Sequence, residues 1–169
     1  MTQVSYVLEV REQANWQPHE LHACLTLLAD GGAVDLRFAS RLLPLASSVS
    51  FARYDGEIVG LAALKTLRID YIESISSKSG FQLSADSLEL GYVVVSEHHR
   101  GKGLGTSLVS RLIEIARRPL FATTYEPTMI RMLGAQGFEV RGETWKSRHG
   151  EFISLLTRNP KNFPIQGRS

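Results

Sequence analysis

Apolar and polar positions alternate with period two in some stretches of the chain and recur at helical spacing in others. Residues 4–10, VSYVLEV, alternate as a strand does. Pro18 suits a first helical turn, and Leu21, Cys24, Leu25 and Leu28 then fall at helical spacing up to the Gly31-Gly32 stop. Asp35 can cap a second helix, LRFASRLL, which Pro44 ends or kinks. Asp55-Gly56 is a strong turn signal between two apolar-rich runs and predicts a hairpin. Residues 73–87, ESISSKSGFQLSADS, are rich in Ser and read as a loop. LELGYVVV, residues 88–95, is apolar on both faces near its end and reads as a central strand. From Leu104 a helix presents Leu104, Leu108, Leu112 and Ile115 together with Val109, Ile113 and Ala116, up to Pro119. LFATT is a short strand, and PTMIRMLGAQ is a helix with Gly137 at its C-terminal cap. FEVRGETW and EFISLLT form a final hairpin around SRHG, and residues 160–169 read as a loosely ordered tail. The order β-α-α-β-β-β-α-β-α-β-β, with hairpins and helical crossovers together, predicts an α/β chain with a mixed sheet.

Composition changes this picture little. A chain of 169 residues, 43% hydrophobic and 21% charged, suits one globular domain spanning 1–169. A net charge of +2 is too small to argue for a nucleic-acid surface, though it leaves room for a local basic patch. One cysteine, Cys24, rules out an internal disulfide and a cysteine-based metal site. The N-terminus lacks the layout of a signal peptide, and no apolar run approaches the ~20 residues of a membrane span. The expected location is the cytoplasm.

The densest chemistry lies at HHRGKGLGTS, residues 98–107, between a predicted strand and a predicted helix. A helix N-terminus offers backbone N–H groups without intrahelical partners, and its dipole favours an anion. Gly101, Gly103 and Gly105 remove the Cβ atoms that would hold an anion off, and Arg100 and Lys102 add positive charge. The stretch fits a phosphate or diphosphate cradle. It also fits a tight turn with packing glycines, because short glycine motifs are weak signals. The P-loop pattern G-x-x-x-x-G-K-S/T is absent, and the dinucleotide pattern G-x-G-x-x-G fails at Thr106.

VVVSEHHRGKGLGTSLVSRLIEIA resembles the acyl-coenzyme A binding motif of the GNAT family of N-acetyltransferases. The motif Q/R-x-x-G-x-G/A is matched by Arg100-Gly101-Lys102-Gly103-Leu104-Gly105. The later Gly137-Phe138 pair resembles the end of the family's following helix. The resemblance implies a mixed, splayed central sheet flanked by helices, and transfer of acetyl from acetyl-coenzyme A to a primary amine in a ternary complex. It implies that the diphosphate sits on the backbone of residues 101–106 (Gly101, Lys102, Gly103, Leu104, Gly105, Thr106) beside Arg100. The pantetheine arm would pair with Val93, Val94 and Val95. It implies no metal, a soluble cytoplasmic enzyme, and a dimer as a common state.

Direct attack needs a group to take the amine's proton. Glu89 is the first candidate; six residues before Val95, regular alternation would put it on the face of Val93 and Val95. Backbone donors near Val95 could polarise the thioester carbonyl. Many relatives carry a tyrosine, as acid for the leaving thiolate, where this chain has Leu133; the asparagine that commonly opens that helix is Glu126 here. Tyr125 is the neighbouring candidate hydroxyl, and a thiol of pKa ~8.5 can also leave unaided. LFATT with its Gly-Phe helix resembles amino-acid acetyltransferases, which points to an amino acid or similar small amine as acceptor. Arg37, Arg41 and residues 66–87 border the acceptor region that the resemblance implies. The alternatives are a coenzyme A binding module without turnover and a protein N-acetyltransferase. His19 and His22 lack further zinc ligands, His98 and His99 add charge before the cradle, and no G-x-S-x-G elbow is present.

Overall fold

Strand β1 (Val7–Glu12) begins the described chain of a computed structural model, which covers residues 5–12, 15–32 and 34–160. Val4, the first residue of the predicted opening strand, and most of the predicted tail lie outside the described residues. The chain groups into two units: one runs to Thr66 and adds Leu90–Glu114, the other holds Leu67–Glu89 and the residues from Ile115 onward.

In the first unit helix α1 (Pro18–Gly31) has Pro18 in its first turn and Gly32 beyond its end at φ +72°. Gln17 and Glu20 form a capping box, an exchange the sequence reading missed. Asp35 caps α2 (Leu36–Leu42) by accepting from the Arg37 N–H at 2.9 Å, and Pro44 lies in the 3-10 turn that follows. Strands β2 (Ser48–Tyr54) and β3 (Glu57–Lys65) form the expected antiparallel hairpin, with Asp55 and Gly56 both at positive φ as a type I′ turn requires. β1 pairs antiparallel to β2 from Val7↔Arg53 to Glu12↔Ser48. Cys24, Leu28, Ala39, Leu43, Val49, Phe51, Leu61 and Ala63 form this unit's core. Under α1, Glu20 is almost fully buried, yet its carboxylate meets Arg53 at 2.6 Å and Arg11 at 3.0 Å, so the charge is paired.

Cys24 is fully enclosed in that core. Burial, with the charge of Glu20 adding to it and that of Arg53 opposing it, pushes its thiol up to about 12. The thiolate is the reactive form. An aromatic disulfide reagent at pH 8 is therefore expected to find no thiol in the folded chain and one per chain in denaturant; rapid native labelling would contradict the packing.

The second unit corrects the sequence reading. Residues 73–79 are not loop but the body of helix α3 (Ile69–Ser79). Ile72, Ile75, Ser76 and Ser79 are its buried positions, at helical spacing. The serines that suggested a loop are satisfied within the helix: Ser76 and Ser79 hydroxyls donate to the carbonyls of Ile72 and Ile75 at 2.9 and 2.8 Å. Gly80, at φ +71°, ends it.

Strand β4 (Leu88–Val95) contributes its first two residues to the second unit and the rest to the first. Helix α4 (Leu104–Ile115) follows it, burying Leu104, Leu108, Val109 and Leu112. Gly60 of β3 makes room for α4, because a Cβ there would sit 2.9 Å from Leu108 Cδ1; the Ser50 hydroxyl donates to the Leu108 carbonyl at 2.9 Å. Strand β5 (Leu120–Thr124), helix α5 (Pro127–Ala135) and the hairpin of β6 (Glu139–Lys146) and β7 (Phe152–Arg158) complete the second unit. The strand order is β1-β2-β3-β4 in the first unit and β4-β5-β7-β6 in the second. β4 and β5 run parallel, and the β1–β2, β2–β3, β5–β7 and β7–β6 ladders are antiparallel, the mixed arrangement expected. Among the described residues no helix is long and apolar enough to cross a membrane.

Candidate active site

The glycine turn belongs to the first unit. β4 ends at Val95, and a 3-10 turn, Glu97–His99, leads into it. Gly101 and Gly103 have φ of +76° and +75°, the left-handed region that a side chain resists. A Cβ built on either would meet nothing within 4 Å, so the side of the turn that lacks side chains is open. Gly105 is different: its Cβ would meet Val93 and Val95 in ordinary contact at 3.9 and 4.0 Å, so this position faces the strand. The helix begins with the Ser107 N–H bonded to the Gly103 carbonyl at 3.0 Å. Leu104 and Gly105 thus present first-turn N–H groups at the positive end of a 12-residue helix. The residues fit an anionic group: an open cradle, oriented donors and a neighbouring cation.

The two cations beside the turn differ. Arg100 Nε donates to the Val95 carbonyl at 3.0 Å, so this side chain braces the turn against the strand end. Lys102 is exposed, with its ammonium 5.7 Å from the Tyr6 ring centroid. His99 is anchored, with Nδ1 2.9 Å from the Tyr6 hydroxyl and its ring 5.0 Å from that of Tyr54. The sequence reading gave His99 added charge or solvation; its aromatic partners are Tyr6, just before β1, and Tyr54, at the end of β2, both far away in the chain.

Strand β4 is not regular. Tyr92 stands at φ +52°, an unfavourable backbone for a non-glycine residue. A Cβ on Gly91 would fall 2.7 Å from Lys65 Cε, and the Lys65 ammonium lies 4.4 Å from the Tyr92 ring centroid. Gly91 and Tyr92 therefore both border the Lys65 side chain. Tyr92 and Val94 pack on the core that holds α1, while Val93 and Val95 approach Gly105. Parity counted from Glu89 to Val95 does not survive this irregularity. The expectation that Glu89 shares a face with Val93 and Val95 rested on regular alternation, which Tyr92 interrupts, so counting along the strand does not assign Glu89 a face.

Glu89 belongs to the second unit. It pairs in register with Phe121 of β5, next to Leu88↔Leu120. It is 4% exposed, a buried carboxylate. The Tyr71 hydroxyl donates to Glu89 Oε2 at 3.0 Å. Tyr71 was missed because its helix was read only from residue 73 on, and there as loop; the periodicity of Ile69, Ile72 and Ile75 was the available signal. Tyr125 lies between β5 and α5 and is 49% exposed. Leu133 is fully buried in α5, where an apolar side chain suits its surroundings. Among the described residues no group of three or more His, Cys, Asp or Glu is placed to hold a metal ion.

Comparisons with known proteins agree with this geometry. The acetyltransferase (GNAT) family model matches residues 10–138, which include β4, the glycine turn and α4. No curated protein matches the chain. Among solved structures, an acyl-CoA N-acyltransferase from Pseudomonas aeruginosa is 20% identical with a TM-score of 0.67, over 91% of this chain and 99% of that one. The structure of yncA from Salmonella typhimurium with its cofactor acetyl-CoA is 20% identical with a TM-score of 0.66, over 96% and 99%. A ribosomal-protein-alanine N-acetyltransferase from Brucella melitensis is 24% identical with a TM-score of 0.65, over 89% and 99%. All three share the fold.

Proposed function

The chain belongs to the GNAT family of acetyltransferases, and from that premise we propose that it moves an acetyl group from acetyl-coenzyme A to a primary amine of a small molecule, an amino acid being the favoured class. The observation that carries the donor is the glycine turn: two glycines at positive φ, open on the side without side chains, at the start of α4. The backbone of residues 101–106 would take the diphosphate, with Lys102 adding charge. Val93, Val94 and Val95 would pair with the amide-bearing arm as an added strand does. The donor and a thiol kept reduced support a cytoplasmic setting.

Glu89 would take the proton that the ammonium form of the acceptor must lose before its nitrogen attacks. The C–N bond forms as the C–S bond breaks; the nitrogen, now positively charged, sheds its second proton to water, and the leaving thiolate takes one from water or from Tyr125. Backbone N–H groups at the end of β4 would steady the charge that develops on the carbonyl oxygen.

Calorimetric titration with acetyl-coenzyme A, followed by thiol release with L-amino acids, polyamines and peptides beginning with alanine, tests the reading. No binding at millimolar donor would sink it. Binding without thiol release from any amine would leave a coenzyme-binding module. Glu89→Gln keeps the shape of the side chain and removes the base. It is expected to lower kcat about 100-fold at neutral pH. Donor affinity should change less than about twofold, because the substitution leaves the glycine turn intact.

A further inference from the structure

Glu89 is held by a residue to which no role has been given. Tyr71 lies in the first turn of α3, and its phenol donates to Glu89 Oε2 at 3.0 Å. The placement is built from the core. Glu89 is paired with Phe121 across the parallel ladder. Phe121 is fully buried in the cluster that contains Ile72 and Ile75 of α3. Tyr71 immediately precedes Ile72, so the packing that seats α3 also sets the height of the phenol beside the carboxylate. The opposite exposures add to this: Glu89 is 4% exposed and Tyr71 is 40% exposed. A core contact made only for stability does not need a half-exposed ring.

We propose that Tyr71 is a positioning residue for Glu89, its hydroxyl holding the carboxylate in the orientation from which it takes the amine's proton. The inference rests on the reading of Glu89 as proton acceptor. A carboxylate turned about its Cγ–Cδ bond loses alignment with the proton it must receive, and alignment is a steep function in proton transfer. A donated hydrogen bond fixes that torsion.

The test is a double-mutant cycle: the parent chain, Tyr71→Phe, Glu89→Gln and the double variant. The assay uses acetyl-coenzyme A and the amine from the panel above that releases thiol fastest. Tyr71→Phe keeps the ring and removes only the donor. It is expected to lower kcat about tenfold, with the KM for acetyl-coenzyme A changed less than about twofold. In the Glu89→Gln background the same change should cost less than about twofold, because Tyr71 then has no carboxylate to hold. An unchanged kcat in Tyr71→Phe, with kcat reduced in Glu89→Gln, overturns the inference and leaves the role of Glu89 standing. An equal tenfold loss in both backgrounds also overturns it, since Tyr71 would then act independently. Unchanged turnover in Glu89→Gln, or no turnover with any amine, removes the underlying reading and the inference together. A lowered melting temperature with unchanged kcat marks a structural contact and overturns it as well.

Discussion

Gly103→Glu is expected to abolish coenzyme binding while leaving a folded chain. Gly103 has φ +75°, and a Cβ there meets nothing within 4 Å. The fold therefore bears only the backbone strain, about 1–2 kcal/mol. The ligand bears far more. A carboxylate placed in the turn would compete for the N–H groups proposed to hold the diphosphate and would repel it. Losing two or three charge-assisted hydrogen bonds, each worth about 1.5–3 kcal/mol, weakens binding about 1000-fold or more. Calorimetry should show heat for the parent chain and none for the variant at millimolar acetyl-coenzyme A, with the melting temperature lowered by a few degrees. Gly103→Ala carries the strain without the charge and should retain measurable binding. Micromolar affinity in a folded Gly103→Glu chain would show that the turn is only a turn.

The features legible in the sequence are those made by neighbours along the chain. Pro18, Gly32, Asp35 and the Asp55-Gly56 pair each perform a local task that their residue type announces, and the structure finds each performing it. The glycine turn is of this kind, and its left-handed positions at Gly101 and Gly103 follow from residue type. The candidate proton acceptor shows the opposite case. Glu89 was found by counting along a strand, but the count assumed regular alternation. Tyr92 breaks it at φ +52°, a conformation that its side chain does not announce. Helix α3 was hidden because serine favours loops on average. Here Ser76 and Ser79 spend their hydroxyls on the preceding turn, and one of them also accepts the Leu83 N–H at 3.0 Å. With α3 unseen, Tyr71 could not be placed; the one tyrosine hydroxyl considered, that of Tyr125, was considered for the leaving thiolate and not for the carboxylate.

The approach of α3 to the final hairpin supplies the second large effect. Gly142 lies in β6 at φ +66°, in the stretch where the β6–β7 register shifts between Arg141 and Trp145. A Cβ there would sit 2.2 Å from the Ser79 carbonyl oxygen and 3.1 Å from its carbonyl carbon. These are backbone atoms in the last turn of α3, so no side chain can rotate aside. The helix must move or the strand must bend. Gly142→Ala should therefore cost the left-handed strain and the overlap together, about 3 kcal/mol or more. In a chain of this size that is a fall of about 6–12 °C in the melting temperature. Gly56→Ala separates the two causes: its φ is +81° but a Cβ meets nothing within 4 Å. It should lose only about 2–4 °C, from strain alone. Equal losses in the two variants would refute the close approach. A larger loss in Gly142→Ala, accompanied by reduced kcat in the surviving folded fraction, would tie the seat of α3 to the site, because the helix that Ser79 ends is the one that brings Tyr71 to Glu89.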